Sequence, residues 1–240
     1  MTKIPFIEID KLKIAPQHFS DCYLVSSVGA LARSKNGRKT LRNNIRYNQN
    51  KQYYEIHFLD WKKQKKDIFV SQKEMSNIVL TDKFANPLKL TSPHNPIIQA
   101  IECSMNKLIK SCPSVKPLFC RLASSVEPFE YNISSNFMKM FTGVKPISIN
   151  EKTLRKNLTH HKESVLELFD RMKDNNFSFI AGTSKGTRKF CAWHCYSIEK
   201  VDGSNVFLYD HRKQTSINVK YDEFIKSFKY ITGYFNDMLK

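Results

Sequence analysis

A cysteine, a histidine and an aspartate in this sequence are of the types that thiol chemistry needs. Cys22 lies in Gln17-His18-Phe19-Ser20-Asp21-Cys22-Tyr23-Leu24. Ser20 and Asp21 are good helix N-caps, and Leu24, Val25, Val28, Leu31 and Ala32 recur at helical spacing. This predicts a buried helix that begins near Asp21 or Cys22 and runs to about Ser34. A thiol in the first turn meets free N–H groups and the positive end of the helix dipole, which both favour the thiolate. Gln17, upstream of it, offers a side-chain amide to a developing oxyanion. The competing reading is a cysteine that only packs, since cysteine is among the most buried residue types and Cys103, Cys112, Cys120, Cys191 and Cys195 also occur.

His194 and Asp210 fall on two runs that read as successive strands, Ala192 to Val201 and Val206 to Asp210, joined by the turn Asp202-Gly203-Ser204-Asn205. Such a hairpin can set a carboxylate beside an imidazole. The carboxylate would orient the ring and stabilise the imidazolium that pairs with a thiolate. A hydrogen-bonded core histidine is the plainer alternative for His194. Cys22 and His194 are far apart in the chain, so only the fold could join them.

The elements that would position these residues can be read in order. Residues 1–16 read as an extended lead-in ending at Pro16. Asn36-Gly37 should break the Cys22 helix, with a short helix over Lys39 to Arg46. A hairpin follows over residues 53–70. Asn95-Pro96 opens a second strong helix whose apolar face is Ile97, Ile98, Ile101, Met105, Leu108 and Ile109. Residues 113–142 read as irregular, and Phe141-Thr142-Gly143 as a boundary. Beyond it come a helix over Glu163 to Asp174, a strand over Phe177 to Thr183, the hairpin already described, a strand over Thr215 to Val219, a short helix over Tyr221 to Phe228 and a last strand over Lys229 to Phe235. The expected class is α+β: a helical subdomain, residues 1–143, and a β-rich subdomain, residues 144–240, with a cleft between them.

Composition narrows the function. The chain has 240 residues, of which 41% are hydrophobic, enough for a sizeable core. No apolar run reaches membrane-spanning length, and Met1 to Asp10 lacks a signal peptide's apolar segment. No CxxC pair occurs and six cysteines in a chain this long make no disulfide scaffold, so a reducing compartment is expected. The net charge of +17 suits acidic partners. Its densest run, Lys62-Lys63-Gln64-Lys65-Lys66, could meet nucleic acid, an anionic membrane or an acidic protein, but it sits where a solvated hairpin turn is expected. No aromatic-basic nucleic-acid motif supports nucleic-acid binding.

The motifs together resemble those of the calpain cysteine proteases. Gln17 to Leu24 is similar to that family's Gln-x-x-Gly-Asp-Cys-Trp-Leu, and His194-Cys195-Tyr196-Ser197-Ile198 to its Gly-His-Ala-Tyr-Ser-Val. Val206 to Asp210 falls where the family has an apolar strand ending in its catalytic asparagine. Ile98-Gln99-Ala100-Ile101-Glu102, Phe137 to Gly143, and Tyr221-Asp222-Glu223-Phe224 resemble further segments in the same order and spacing. The resemblance implies a papain-like fold with Cys22 as nucleophile, His194 as general base and then acid, Asp210 as orienter and Gln17 as oxyanion donor. It implies a protein substrate cleaved through an acyl-enzyme. There are departures: Ser20 replaces glycine, Tyr23 replaces tryptophan, Trp193 replaces the glycine before the histidine, and Asp210 replaces asparagine. Asp210-His211-Arg212-Lys213 lacks the tryptophan that shields the pair, a part open to His211 or Trp193.

No cofactor and no metal is expected. Calcium, the one ion the resemblance raises, finds no dense acidic loop and no EF-hand pattern. A compact basic core suits either a cytoplasmic enzyme or a bacterial effector delivered into a host cell without a cleavable signal. Two other readings stand beside the peptidase. A glutamine deamidase or transglutaminase would use the same triad on a side-chain amide. An inactive papain-like scaffold would serve as a basic binding module for an acidic host protein.

Overall fold

The computed structural model describes residues 2–3, 5–15, 22–60, 63–76, 79–81, 87–89, 95–111, 132–150, 162–172, 176–183 and 189–239. The class is α+β. A four-stranded antiparallel sheet runs in the order β1 (Thr2–Lys3), β2 (Ile45–Asn48), β3 (Tyr53–Leu59), β4 (Lys65–Ser71). Around it lie α1 (Phe6–Lys11), α2 (Cys22–Arg33), α3 (Lys35–Asn44), α4 (Gln72–Ser76), a small hairpin of β5 (Val79–Thr81) and β6 (Pro87–Lys89), α5 (Pro96–Ser111) and α6 (Asn132–Thr142). The rest of the chain supplies β7 (Ile147–Asn150), α7 (Lys162–Met172), β8 (Phe177–Thr183), β9 (Cys195–Asp202), β10 (Asn205–Asp210), β11 (Thr215–Lys220), α8 (Tyr221–Ser227) and β12 (Phe228–Phe235). Its six strands form one antiparallel sheet in the order β11-β10-β9-β8-β12-β7.

Helix α2 is the centre of this arrangement. From Leu24 to Ala32 every side chain is buried, and a helix apolar on all sides must be covered on all sides. The turn Leu12–Ile14, α1, α3 and α6 cover it from one direction, and β8 and β9 from the other. Leu24, Val25, Val28 and Leu31 are almost wholly removed from water, each worth about 1.5–3 kcal/mol of transfer free energy. One apolar cluster joins α2 to α5, α6 and the core face of β3. A second lies among α7, α8 and the six-stranded sheet. Cys22, Cys195 and Tyr230 form a small third cluster.

Three expectations need correction. The lead-in is not extended: α1 and a 3-10 turn over Leu12–Ile14 form there, because Ile9 and Leu12, one helical turn apart, bury on one face. The helix break falls at Ser34, not at Asn36-Gly37. Ser34 Oγ accepts from Gly37 N at 3.0 Å and so caps α3, carrying the helix straight through the glycine. The end of the stretch read as irregular is α6, whose Ser134, Phe137, Met138 and Phe141 repeat at helical spacing and are buried. Residues 113–131 lie outside the described residues. By contrast, β3 and β4 pair as the expected hairpin; in the turn after Leu59, Lys63 N donates to Asp60 O at 2.9 Å and Asp60 Oδ1 accepts from Gln64 N at 2.8 Å. No helix among the described residues is long and apolar enough to cross a membrane.

Gly29 tests how tightly α2 is seated. A Cβ there would lie 2.5 Å from Cε1 of His211. Helix propensity alone would make Gly29→Ala stabilising by about 1 kcal/mol. The collision reverses the sign, and we expect a net loss of about 1–3 kcal/mol in urea unfolding.

Candidate active site

Cys22 is the first residue of α2, where the helix N–H groups have no intrahelical partner. Its thiol lies 3.9 Å from the carbonyl oxygen of Trp193 and hydrogen-bonds the thiol of Cys195. The nucleophile candidate therefore touches the residues on either side of His194. The His194 ring is oriented by Asp210: Nε2 donates to Oδ1 at 2.9 Å. Gln17 and the proposed caps Ser20 and Asp21 lie outside the described residues.

His194 does not sit on the strand, as the sequence suggested, but just ahead of it. Trp193 has φ +53°, a left-handed conformation that interrupts extended pairing, and β9 starts only at Cys195. Thr183 at the end of β8 pins this bend. Its Oγ1 accepts from His194 N at 3.1 Å and donates to Cys191 O at 2.7 Å, while its N–H reaches His194 O at 2.9 Å. The Lys229 ammonium lies over the Trp193 ring, 5.0 Å from its centroid.

Asp210 is fully buried at the end of β10. Burial pushes its carboxyl up. The hydrogen bond and charge of His194, with the N–H groups of Lys213 and Arg212, outweigh that and hold it below the usual carboxylate range. A register shift brings it into place. Phe207 pairs with Lys200, but Leu208 pairs with Ile198, so Glu199 is a bulged extra residue and Asp210 moves one position toward His194.

Sequence reasoning missed the polar floor of the site. Cys195 Sγ lies 2.9 Å from Tyr230 Oη, and Ser134 Oγ lies 3.2 Å from the same hydroxyl. Gly182 makes room for the Tyr230 ring, since a Cβ there would fall 2.2 Å from it. The hydrogen bond from Cys22 draws the Cys195 thiol down to about 7 against the opposing effect of burial, and Tyr230 assists. Burial and the neighbouring Cys195 drive the Tyr230 phenol well above its ordinary value, so it remains a neutral donor. The available signal was a thiol directly following the histidine, where the resembling family has alanine.

Cys22, His194 and Asp210 are 3%, 5% and 0% exposed, so the expected open cleft is closed over this trio. A cavity lined by Asp60, Lys63, Asn136 and Gly143 and another beside Arg171 and Phe235 lie apart from it. No model of a known protein family matches the chain, and no curated protein matches it.

His211 completes the surroundings. Its Nδ1 donates to Ala15 O at 2.7 Å and its Nε2 faces Ser197 Oγ at 2.7 Å. Burial lowers its pKa to about 4, so at neutral pH the ring carries one proton and accepts from the Ser197 hydroxyl. Between about pH 4 and 6.5 the unfolded chain holds a proton on His211 that the folded chain lacks, so stability rises with pH across that window. From pH 7 to pH 4 we expect this group to remove about 3 kcal/mol. Urea unfolding across that range checks it, and His211→Gln should flatten the profile.

Proposed function

We propose that the chain is a papain-like cysteine endopeptidase of the calpain type, acting on a protein substrate. The observation that carries this reading is the buried His194–Asp210 hydrogen bond beside a helix-start thiol that contacts both neighbours of the histidine. Because Asp210 accepts from Nε2, the ring proton stays on that atom and Nδ1 keeps the lone pair. Nδ1 takes the proton from Cys22, and the thiolate attacks the scissile carbonyl carbon. The Cys22 N–H donates to the oxyanion, with Gln17 as the second donor. Collapse expels the amine, which leaves with the proton from Nδ1, and a thioester remains on Cys22. Water then gives a proton to Nδ1 and its hydroxyl to the thioester, releasing the acid and restoring the thiol. The ionised Asp210 stabilises the imidazolium throughout. The thiol must first become accessible, so substrate binding is coupled to opening of the closed site.

In a host-cell proteome treated with the protein, we expect new peptide termini that disappear with Cys22→Ala and His194→Ala. Each variant should lose at least about 1,000-fold in rate. Cys22→Ala should leave stability little changed, whereas His194→Ala strips the buried Asp210 of its imidazole partner and should cost about 3–5 kcal/mol in urea unfolding. Asp210→Asn, which still accepts from the ring, should keep far more activity than Asp210→Ala. A one-dalton gain at glutamine in place of new termini would establish the deamidase reading. The absence of any Cys22-dependent change would defeat the enzyme altogether.

A further inference from the structure

A second cluster of reactive groups lies on the four-stranded sheet and plays no part in the chemistry above. Along β3, Tyr54, Ile56 and Phe58 face the apolar core, so Glu55 and His57 share the opposite face. Asp67 on β4 is directly across from His57 in the ladder. One ring nitrogen of His57 and one carboxylate oxygen from each of Glu55 and Asp67 lie within 4.8 Å of one another.

Glu55 and His57 are not solvated, although they face away from the core: they are 8% and 5% exposed. Asp67 Oδ1 holds Nδ1 of the ring at 2.5 Å. That contact keeps the ring proton on Nδ1 and leaves a lone pair at Nε2. Neither Nε2 of His57 nor Oε2 of Glu55 has a hydrogen-bond partner among the described residues. Arg46 is across from Glu55 on β2, yet no ion pair joins the two among the described residues. Two buried acceptors without a donor are costly, and a cation is the group that satisfies both.

We propose that Glu55, His57 and Asp67 form a binding site for a divalent transition-metal ion, with zinc the best match. Glu55 and His57 Nε2 are the ligands. Asp67 is the carboxylate that orients the metal-bound imidazole, as in carboxylate–histidine–zinc arrangements. An imidazole with carboxylates suits zinc rather than calcium or magnesium, which take oxygen ligands alone. Two carboxylates balance the charge of the ion. Zinc ligands in a tetrahedral shell lie about 3.4 Å apart, given bonds of about 2.0–2.1 Å, so the three side chains, already grouped within 4.8 Å, must draw closer around an ion, with water filling the remaining positions. Lys65 Nζ, 3.4 Å from Asp67 Oδ1, is the competing cation, and its exposed side chain is free to swing out to solvent.

The test is calorimetric titration of the chelator-treated full chain with zinc chloride, paired with X-ray absorption at the zinc edge. We expect one zinc per chain, a nitrogen and oxygen shell, and no competition from millimolar calcium. Glu55→Gln and His57→Gln should each weaken binding at least tenfold, and Asp67→Asn by about 10–100-fold. Asp67→Asn alters a partly exposed side chain and keeps the test valid if a buried variant fails to fold. Sulfur in the zinc shell would assign binding to the chain's cysteines and overturn the proposal. So would zinc affinity unchanged in Asp67→Asn and Glu55→Gln, or no binding by the native chain.

Discussion

A charged carboxylate with no access to water is the constraint on which the rest of the site depends. Moving such a group out of water costs several kcal/mol even after relaxation. Asp210 tolerates it because His194 and the backbone N–H groups of Arg212 and Lys213 all converge on one oxygen, Oδ1. Losing any of these donors would leave the charge under-compensated. The turn after β10, the bulge at Glu199 and the bend before β9 therefore have to form together. The register of this hairpin is fixed as much by the buried charge as by its apolar face.

The contact between α2 and the sheet follows the same logic. Apolar packing would allow the helix to slide, whereas directed bonds do not. Ser26 Oγ donates to Cys195 O at 2.9 Å. His211 bridges from Ser197 to Ala15 O, so the segment leading toward Gln17 is tied to the strand that carries the histidine's neighbours. Arg33 at the far end of the helix meets Glu199 at 2.9 Å. These polar links run the length of α2 and set Cys22 opposite the bend at Trp193. A shift of one residue would break them all.

Much of this was legible in the chain, and the limits have physical causes. The span of α2, the strand over Phe177–Thr183 and the hairpin that ends at Asp210 follow from period and turn chemistry, which are local. The bulge does not, because Glu199 looks like any other strand residue until its partner strand is known. Nor does the floor of Cys195, Tyr230 and Ser134, whose members come from three distant elements and look like ordinary core residues one at a time. The pairing of Glu55 and His57 with Asp67 was hidden for a related reason. The alternation on β3 marks them as the solvent face, and only the tertiary structure shows that face to be covered.

Trp193 shows how local contacts can hold a large side chain in a backbone conformation that favours glycine. The sequence places a bulky ring before the histidine, where the family it resembles has glycine, a residue that takes left-handed backbone readily. The bend is present: φ is +53°. For a side chain of that size the conformation costs about 1–2 kcal/mol. The neighbouring contacts offset it. Thr183 makes a backbone bond and two side-chain bonds to residues 191–194, and the indole gains the Lys229 ammonium. The bend also turns the Trp193 carbonyl toward the Cys22 thiol, 3.9 Å away. An extended residue at this position would carry the strand pairing on through His194. Pairing of that kind would redirect the Trp193 carbonyl away from the thiol and draw the imidazole off Asp210.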